Sequence, residues 1–153
     1  MGRVGGISAA EYAFRSGYRK LNEQEIPFSS GSATGTGNLS SLEETLRRAL
    51  NSQAGIVRDA GGLKDLLVTI KSLKDKQKEI LKNDKSTTVV KLGMMLDVAQ
   101  AICLSALMRE ESRGSHFRAD YPDQREDYLG NFVIKKVKEE MEIRFVPSQN
   151  KTT

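Results

Sequence analysis

The chain has 153 residues, a net charge of +4 and a pI near 9.2, with 38% hydrophobic and 29% charged residues, which suffices for one lean folded domain. Acidic residues punctuate even its densest basic stretch, Lys71 to Lys85, where Asp75, Glu79 and Asp84 make a solvated helix face a better reading than a phosphate-binding surface. One cysteine, Cys103, excludes an internal disulfide and fits a reducing compartment, and a single His, His116, leaves no metal cluster.

Residues 1–17 read as a short helix with a mixed apolar surface from Ile7, Ala10, Tyr12, Ala13 and Phe14, stopped by Gly17. Residues 18–38 are polar and rich in Gly and Ser, a flexible linker by composition. Order resumes at Leu39. Ser41 with Glu44 predicts a capping box, and Leu42, Leu46, Leu50, Ala54 and Val57 form one apolar stripe. Gly61-Gly62 is expected to break this helix. A second helix follows, with Leu63, Leu66, Leu67, Ile70, Leu73 and Ile80 on one face, ending at Asn83-Asp84.

The third helix starts between Ser86 and Thr88 and ends between Arg109 and Ser112. It is apolar on more than one side, so two partner helices cover about half of it and the rest needs another contact. Cys103 lies in its A-I-C-L-S-A-L run and reads as buried packing. Beyond Pro122 an acidic turn, D-Q-R-E-D, leads to two short strands, Phe132 to Ile134 and Met141 to Val146, and the chain ends in a frayed tail, 148–153. No uninterrupted apolar run reaches about 18 residues and no signal-peptide core opens the chain. The expectation is therefore a cytoplasmic protein without direct membrane insertion.

The segment Glu111 to Pro122, E-S-R-G-S-H-F-R-A-D-Y-P, concentrates the polar chemistry. His116 between Arg113 and Arg118 would suit a carboxylate, because Arg offers a planar fork of donors and nearby cations depress the His pKa. No nucleophile–base or carboxylate pair completes a mechanism, so bridging the third helix to its surroundings is the stronger reading. G-S-A-T-G-T-G lacks the Lys-Ser/Thr of a phosphate loop, and G-R-V-G-G lacks the strand of a dinucleotide fingerprint. No catalytic, cofactor-binding or metal residue is therefore assigned.

That segment resembles the E-S-R-G-A-H-x-R-x-D-Y/F-P signature near the C-terminal end of succinate dehydrogenase and fumarate reductase flavoproteins and L-aspartate oxidase. Other stretches agree in order and spacing. A-G-I-V-R-D-A-G-G-L, Ala54 to Leu63, is similar to that family's G-I-V-R-(D/N)-x-x-G-L joint between helices. Leu92 to Ala106 is similar to its helix leading into the signature, and Gly2 to Ala13 to the last helix of its flavin domain. L-G-N-F-V-I-K-K and E-I-R-F-V-P fit its tail. Two departures concern local contacts: A-L-N-S stands where the family often has Met, and Tyr128 where it has Trp.

The resemblance implies part of a flavin-dependent oxidoreductase acting on succinate, fumarate or L-aspartate, with FAD in the complete enzyme and none in this chain. It places the FAD fingerprint and catalytic residues upstream of Gly2, so none can be carried over. Arg58, Ser112, Arg113, Gly114, His116, Arg118, Asp120 and Tyr121 become an interdomain signature. The fold expected is mostly α: a three-helix up-down-up bundle of spectrin-repeat type, with a small C-terminal β-hairpin and a detached N-terminal helix. Residues 1–17 would close the flavin domain, 18–38 link it, 39–122 form the bundle and 123–153 the acidic turn and hairpin. Expected partners are the FAD-binding domain or subunit, an iron–sulfur subunit, and a second copy through the exposed apolar helix face. Through such a complex the protein could sit at a membrane periphery. The rival is a stand-alone helical protein-interaction module. Weak nucleic-acid binding, a third reading, would rest on Lys74, Lys76 and Lys78 and show steep salt dependence.

Overall fold

The computed structural model describes residues 2–17 and 36–148, with side chains described from Ile7 to Gly17 and from Leu39 onward. The elements run α1 (Gly2–Ser16), α2 (Thr36–Gln53), β1 (Val57–Arg58), α3 (Ala60–Asn83), α4 (Thr87–Met108), β2 (Phe117–Arg118), β3 (Gly130–Val137) and β4 (Glu140–Pro147). α3 packs on both α2 and α4, giving the three-helix bundle with a terminal antiparallel hairpin. The α1 side chains are mostly exposed, Phe14 at 86%. Most of the expected linker and the tail beyond Ser148 lie outside the described residues.

Hydrophobic spacing sets the core. The buried α4 positions are Val89, Leu92, Leu96, Ala99, Cys103 and Ala106, alternating steps of three and four. That is a coiled-coil seam, and it meets Leu63, Leu66, Ile70 and Leu73 of α3 and Leu39, Leu42 and Leu46 of α2. Full burial of an aliphatic side chain contributes about 1.5–3 kcal/mol, so this seam supplies the main stabilisation of the bundle. Cys103 is buried as expected: its Sγ–H donates to the Leu63 carbonyl at 3.0 Å, and burial pushes its thiol up to about 11. Gln77 is buried too, donating Nε2 to the Val89 carbonyl at 3.1 Å beside Gly93, where a Cβ would stand 2.9 Å from that nitrogen.

Several local expectations are corrected. α2 begins at Thr36, so the last three residues of the Gly/Ser stretch are helical and Ser41 and Glu44 lie inside the helix. Ser41 thus cannot cap this helix; its carbonyl accepts from Thr45 Oγ1 and Glu44 pairs with Arg48. Gly61-Gly62 does not break a helix but lies in the first turn of α3. Asp59 caps that turn, accepting from Gly62 N at 2.9 Å, and a capped first turn tolerates glycine. Val57 belongs to β1, not to the α2 stripe, and is 59% exposed.

Despite Lys91 and Asp97, an 18-residue window of α4 reaches a mean hydropathy of 1.6, so by length and composition alone this helix passes for a membrane span, a test that the core helix of a bundle also passes. In the fold, one third of that window is buried by the rest of the chain. Asp97 receives Lys74 on one carboxylate oxygen and Lys136 of β3 on the other, both at 2.5 Å. Lys78 pairs with Glu139 at 2.6 Å. Two of the three lysines of the nucleic-acid reading therefore already hold carboxylates.

Candidate functional site: a polar clasp at the helix ends

β1 and β2 pair in parallel, Val57 opposite Phe117 and Arg58 opposite Arg118, and Ala119 N donates to the Arg58 carbonyl at 2.8 Å. Two sequence motifs about 60 residues apart thereby meet where α2 ends, α3 begins and α4 ends.

Arg118 is the centre, at 1% exposure. Its Nε and Nη2 donate to the two carboxylate oxygens of Asp120, each at 2.8 Å, a bidentate fork. Its Nη1 donates to the carbonyls of Ala106 at 2.6 Å, Leu107 at 3.1 Å and Arg109 at 3.2 Å, the unpaired acceptors at the C-terminus of α4. Asp120 in turn accepts from Ala60 N, at the start of α3, at 3.0 Å. A cation therefore sits at the negative end of one helix dipole and an anion at the positive end of the next. The Arg118 guanidinium foremost, and the Ala60 N–H, hold the Asp120 carboxyl down at about 2. The Ser112 hydroxyl accepts from Arg118 N at 2.9 Å and donates to the Tyr121 carbonyl at 2.8 Å, while the Tyr121 ring lies 5.0 Å from the Arg118 guanidinium.

Arg58 closes α2 in the same way. Its Nε donates to the carbonyls of Ala54 at 3.2 Å and Gly55 at 2.9 Å. Its Nη1 lies 3.0 Å from His116 Nδ1, and His116 Nε2 lies 3.3 Å from the Arg109 carbonyl. An arginine can only donate, so Nδ1 accepts and Nε2 carries the proton. Burial first, then the nearby Arg58, Arg118 and Arg109 cations, lowers the His116 pKa, so the imidazole is neutral at pH 7.

Glu111, which opens the signature segment, and Arg109 belong to the site although neither was among the eight residues expected to form the interdomain signature. Glu111 is fully buried and accepts from Arg109 Nη1, from Arg113 Nε at 3.0 Å and from Arg125 N at 2.9 Å. Burial alone would raise its carboxyl; the Arg113 guanidinium, the Arg125 N–H and the Arg109 guanidinium outweigh it and hold the group at about 2. Arg109 also donates to the carbonyls of Tyr128 at 3.0 Å and Gly130 at 2.9 Å, with its guanidinium 5.0 Å from the Phe132 ring centre, and so docks the hairpin. The available signal was a Glu immediately after an apolar helix and flanked by arginines at positions 109 and 113.

Arg113 and His116 exchange backbone hydrogen bonds at 2.8 and 3.0 Å around Gly114-Ser115. Gly114 has φ +60° while Ser115 keeps a negative φ, the II′ turn in which Gly is favoured first. The hydrogen bonding of Ser112, Arg118 and Asp120 is thus met within the chain, and what the clasp does chemically is to fasten three helix ends and a hairpin. Among the described residues no group of His, Cys, Asp and Glu is placed to hold a metal ion.

Arg58 and His116 also border an open cleft of about 360 Å³ whose apolar wall includes Ala101, Ile102 and Ile134. The cleft lies on the α4 face turned away from the bundle, where Met94 (65%), Val98 (59%) and Ile102 (47%) recur one helical turn apart and are exposed. Exposed Val57 and Phe117, partners across β1 and β2, adjoin Arg58 and His116 in the chain.

The comparisons with known proteins agree with one another. Residues 43–153 match the family model described as "Fumarate reductase flavoprotein C-term". An uncharacterised FAD-dependent oxidoreductase of Methanocaldococcus jannaschii is 31% identical over 88% of this chain and 26% of its own length. One of the subunits of the fumarate reductase (CoM/CoB) from Methanothermobacter marburgensis is 30% identical over 95% of this chain and 28% of its own. The L-aspartate oxidase of Rhodospirillum rubrum is 36% identical over 50% of this chain and 24% of its own. A FrdA variant of E. coli quinol fumarate reductase superposes with a TM-score of 0.72 at 20% identity, over 99% of this chain and 29% of that one, which carries the fold alone. This chain spans about a quarter of the length of these relatives. With a family match over most of its residues, carried by the helices, clasp and hairpin just described, the chain belongs to the fumarate reductase flavoprotein C-terminal family.

Proposed function

We propose that this chain is the helical C-terminal part of an FAD-dependent oxidoreductase of the succinate dehydrogenase, fumarate reductase or L-aspartate oxidase type, and that it braces the flavin domain without supplying catalytic groups. The observation that carries this reading is the stripe Met94, Val98 and Ile102, exposed beside the Arg58–His116 cleft. A contiguous apolar face of this kind marks a surface made to be covered. In this reading α1 closes the flavin domain, residues 18–38 link it to the bundle, and the clasp holds the covered face in shape. FAD resides in the partner domain. An iron–sulfur subunit is a further partner, in a cytoplasmic complex or one held at a membrane periphery.

Co-expression of this chain with an FAD-binding domain of the same family tests the reading. Co-purification of a yellow, flavin-loaded complex is expected, and Val98→Asp should weaken it at least tenfold by placing a charge in the covered face. A colourless chain that associates with no flavin polypeptide would leave the stand-alone interaction module as the answer.

A further inference from the structure

Four arginines of the clasp have a carboxylate within salt-bridge distance: Arg109 and Arg113 on Glu111, Arg118 on Asp120, and Arg125 on Asp127. Arg58 has none among the described residues. Of the five N–H donors of a guanidinium, its Nε–H is shared between two helix-end carbonyls and one Nη1–H goes to His116. Three donors are left over. They belong to a half-buried side chain whose direction is fixed at both ends, by the end of α2 and by a neutral imidazole. The cleft beside them is lined by Arg58, Arg109 and His116 at its polar end and by Ala101, Ile102 and Ile134 at its apolar end, with no carboxylate in its lining. It opens on the same α4 face that carries Val98 and Ile102.

We infer that Arg58 is the docking residue of this face: it takes an Asp or Glu carboxylate of the FAD-binding partner, presented beside an apolar side chain that fills the cleft. The inference rests on the bracing role proposed above and adds the chemistry of its contact. Charge complementarity supports it, since a preset arginine fork without an anion is matched by a carboxylate. Apolar walls exclude water from the pair and strengthen it. His116 acts as a positioning residue, because it accepts from Arg58 and holds the guanidinium toward the cleft.

The test uses this chain and the flavin-loaded partner polypeptide, with Kd measured by titration calorimetry at 50 and 300 mM NaCl. Arg58→Gln should weaken binding tenfold or more at low salt and flatten the salt dependence. Arg58→Lys, which keeps the charge and loses the fork, should weaken it severalfold. Circular dichroism of each variant checks that α2 is still closed, and the Lys variant decides the matter if the Gln variant fails to fold. Wild-type affinity and salt dependence in the folded Arg58 variants overturn the docking role. If Val98→Asp still abolishes binding in that case, the bracing reading survives; if Val98→Asp binds like the wild type, it is the bracing reading that falls. A saturable shift of the Arg58 and His116 side-chain NMR signals by millimolar succinate added to this chain alone would assign the cleft to a free carboxylate and also overturn the docking role.

Discussion

Replacing Glu111 with Gln tests the clasp where its electrostatics are most concentrated. The carboxylate is fully buried, while the side chains of Arg109 and Arg113 are 16% and 29% exposed. Gln keeps the shape but turns an –NH2 toward groups that can only donate. The carboxyl falls from an ordinary value of 4.5 to about 2 in the fold. At about 1.4 kcal/mol per pH unit, that difference corresponds to roughly 3 kcal/mol of stability at neutral pH. Breaking a buried pair from one side costs about 3–5 kcal/mol; the partial exposure of both arginines places this case at the lower end. The sign follows from the depressed pKa. The contribution is fully present above the unfolded value of 4.5 and is lost as pH falls through the folded value of about 2. Urea unfolding followed by circular dichroism should therefore show Glu111→Gln about 3 kcal/mol less stable than wild type at pH 7 and about half that at pH 3, because the wild type loses the interaction too. Other carboxylates titrate in both proteins and cancel. A gap below about 1 kcal/mol at pH 7, or one of equal size at both pH values, would refute the argument.

Arg118→Met should cost about 3 kcal/mol by the same urea titration, since it frees three helix-end carbonyls and one side of a bidentate pair, and Arg118→Lys should recover less than half because an ammonium cannot form the fork. Gly114→Ala should cost about 1 kcal/mol for its φ of +60°, whereas Gly130→Ala should cost more, because a Cβ there would stand 2.6 Å from the Phe145 ring and collide with the Val146 carbonyl; thermal melts rank the two. The Cys103 thiol should resist a disulfide reagent at pH 8 in the folded protein and react on unfolding in urea; rapid labelling of the native chain would contradict its burial and its raised pKa.

What the sequence made legible followed periodicity. The core positions of α3 and the alternation in β4 were readable because one buried face imposes its own spacing, whereas α4, apolar on more than one side, did not show in sequence which face the bundle buries. Helix starts were less readable. Ser41 and Glu44 have the chemistry of a cap, but the preceding Thr36 to Asn38 continue the helix, so a local motif loses to the context on its N-terminal side. Asp59 is the actual cap of α3, masked in sequence by the two glycines that follow in the first turn, of which it fastens Gly62. The clasp residues could be named but not joined. That Arg58 would meet His116, or that Asp120 would reach Ala60 N, depends on a two-residue parallel pairing between segments about 60 positions apart, and no local pattern encodes it.

The structure also divides the labour within α4. Its seam from Val89 to Ala106 is sufficient to hold the bundle, so the apolar residues on the other side are not needed for that purpose. Leaving Met94, Val98 and Ile102 exposed costs solubility and contributes nothing to the isolated fold. At the C-terminal end of the same helix nearly every polar group is satisfied internally, by Arg118, Arg109 and His116. An apolar face left open beside a polar network left almost closed is the pattern of an element rigidified for docking. In the bracing role proposed above, the clasp fixes the helix ends so that the exposed stripe would meet the flavin domain as one preformed surface, with the ordering cost of association largely met by folding. On that reading the most polar stretch of the chain, which looks like an active site, serves the proposed docking by holding an apolar surface in place.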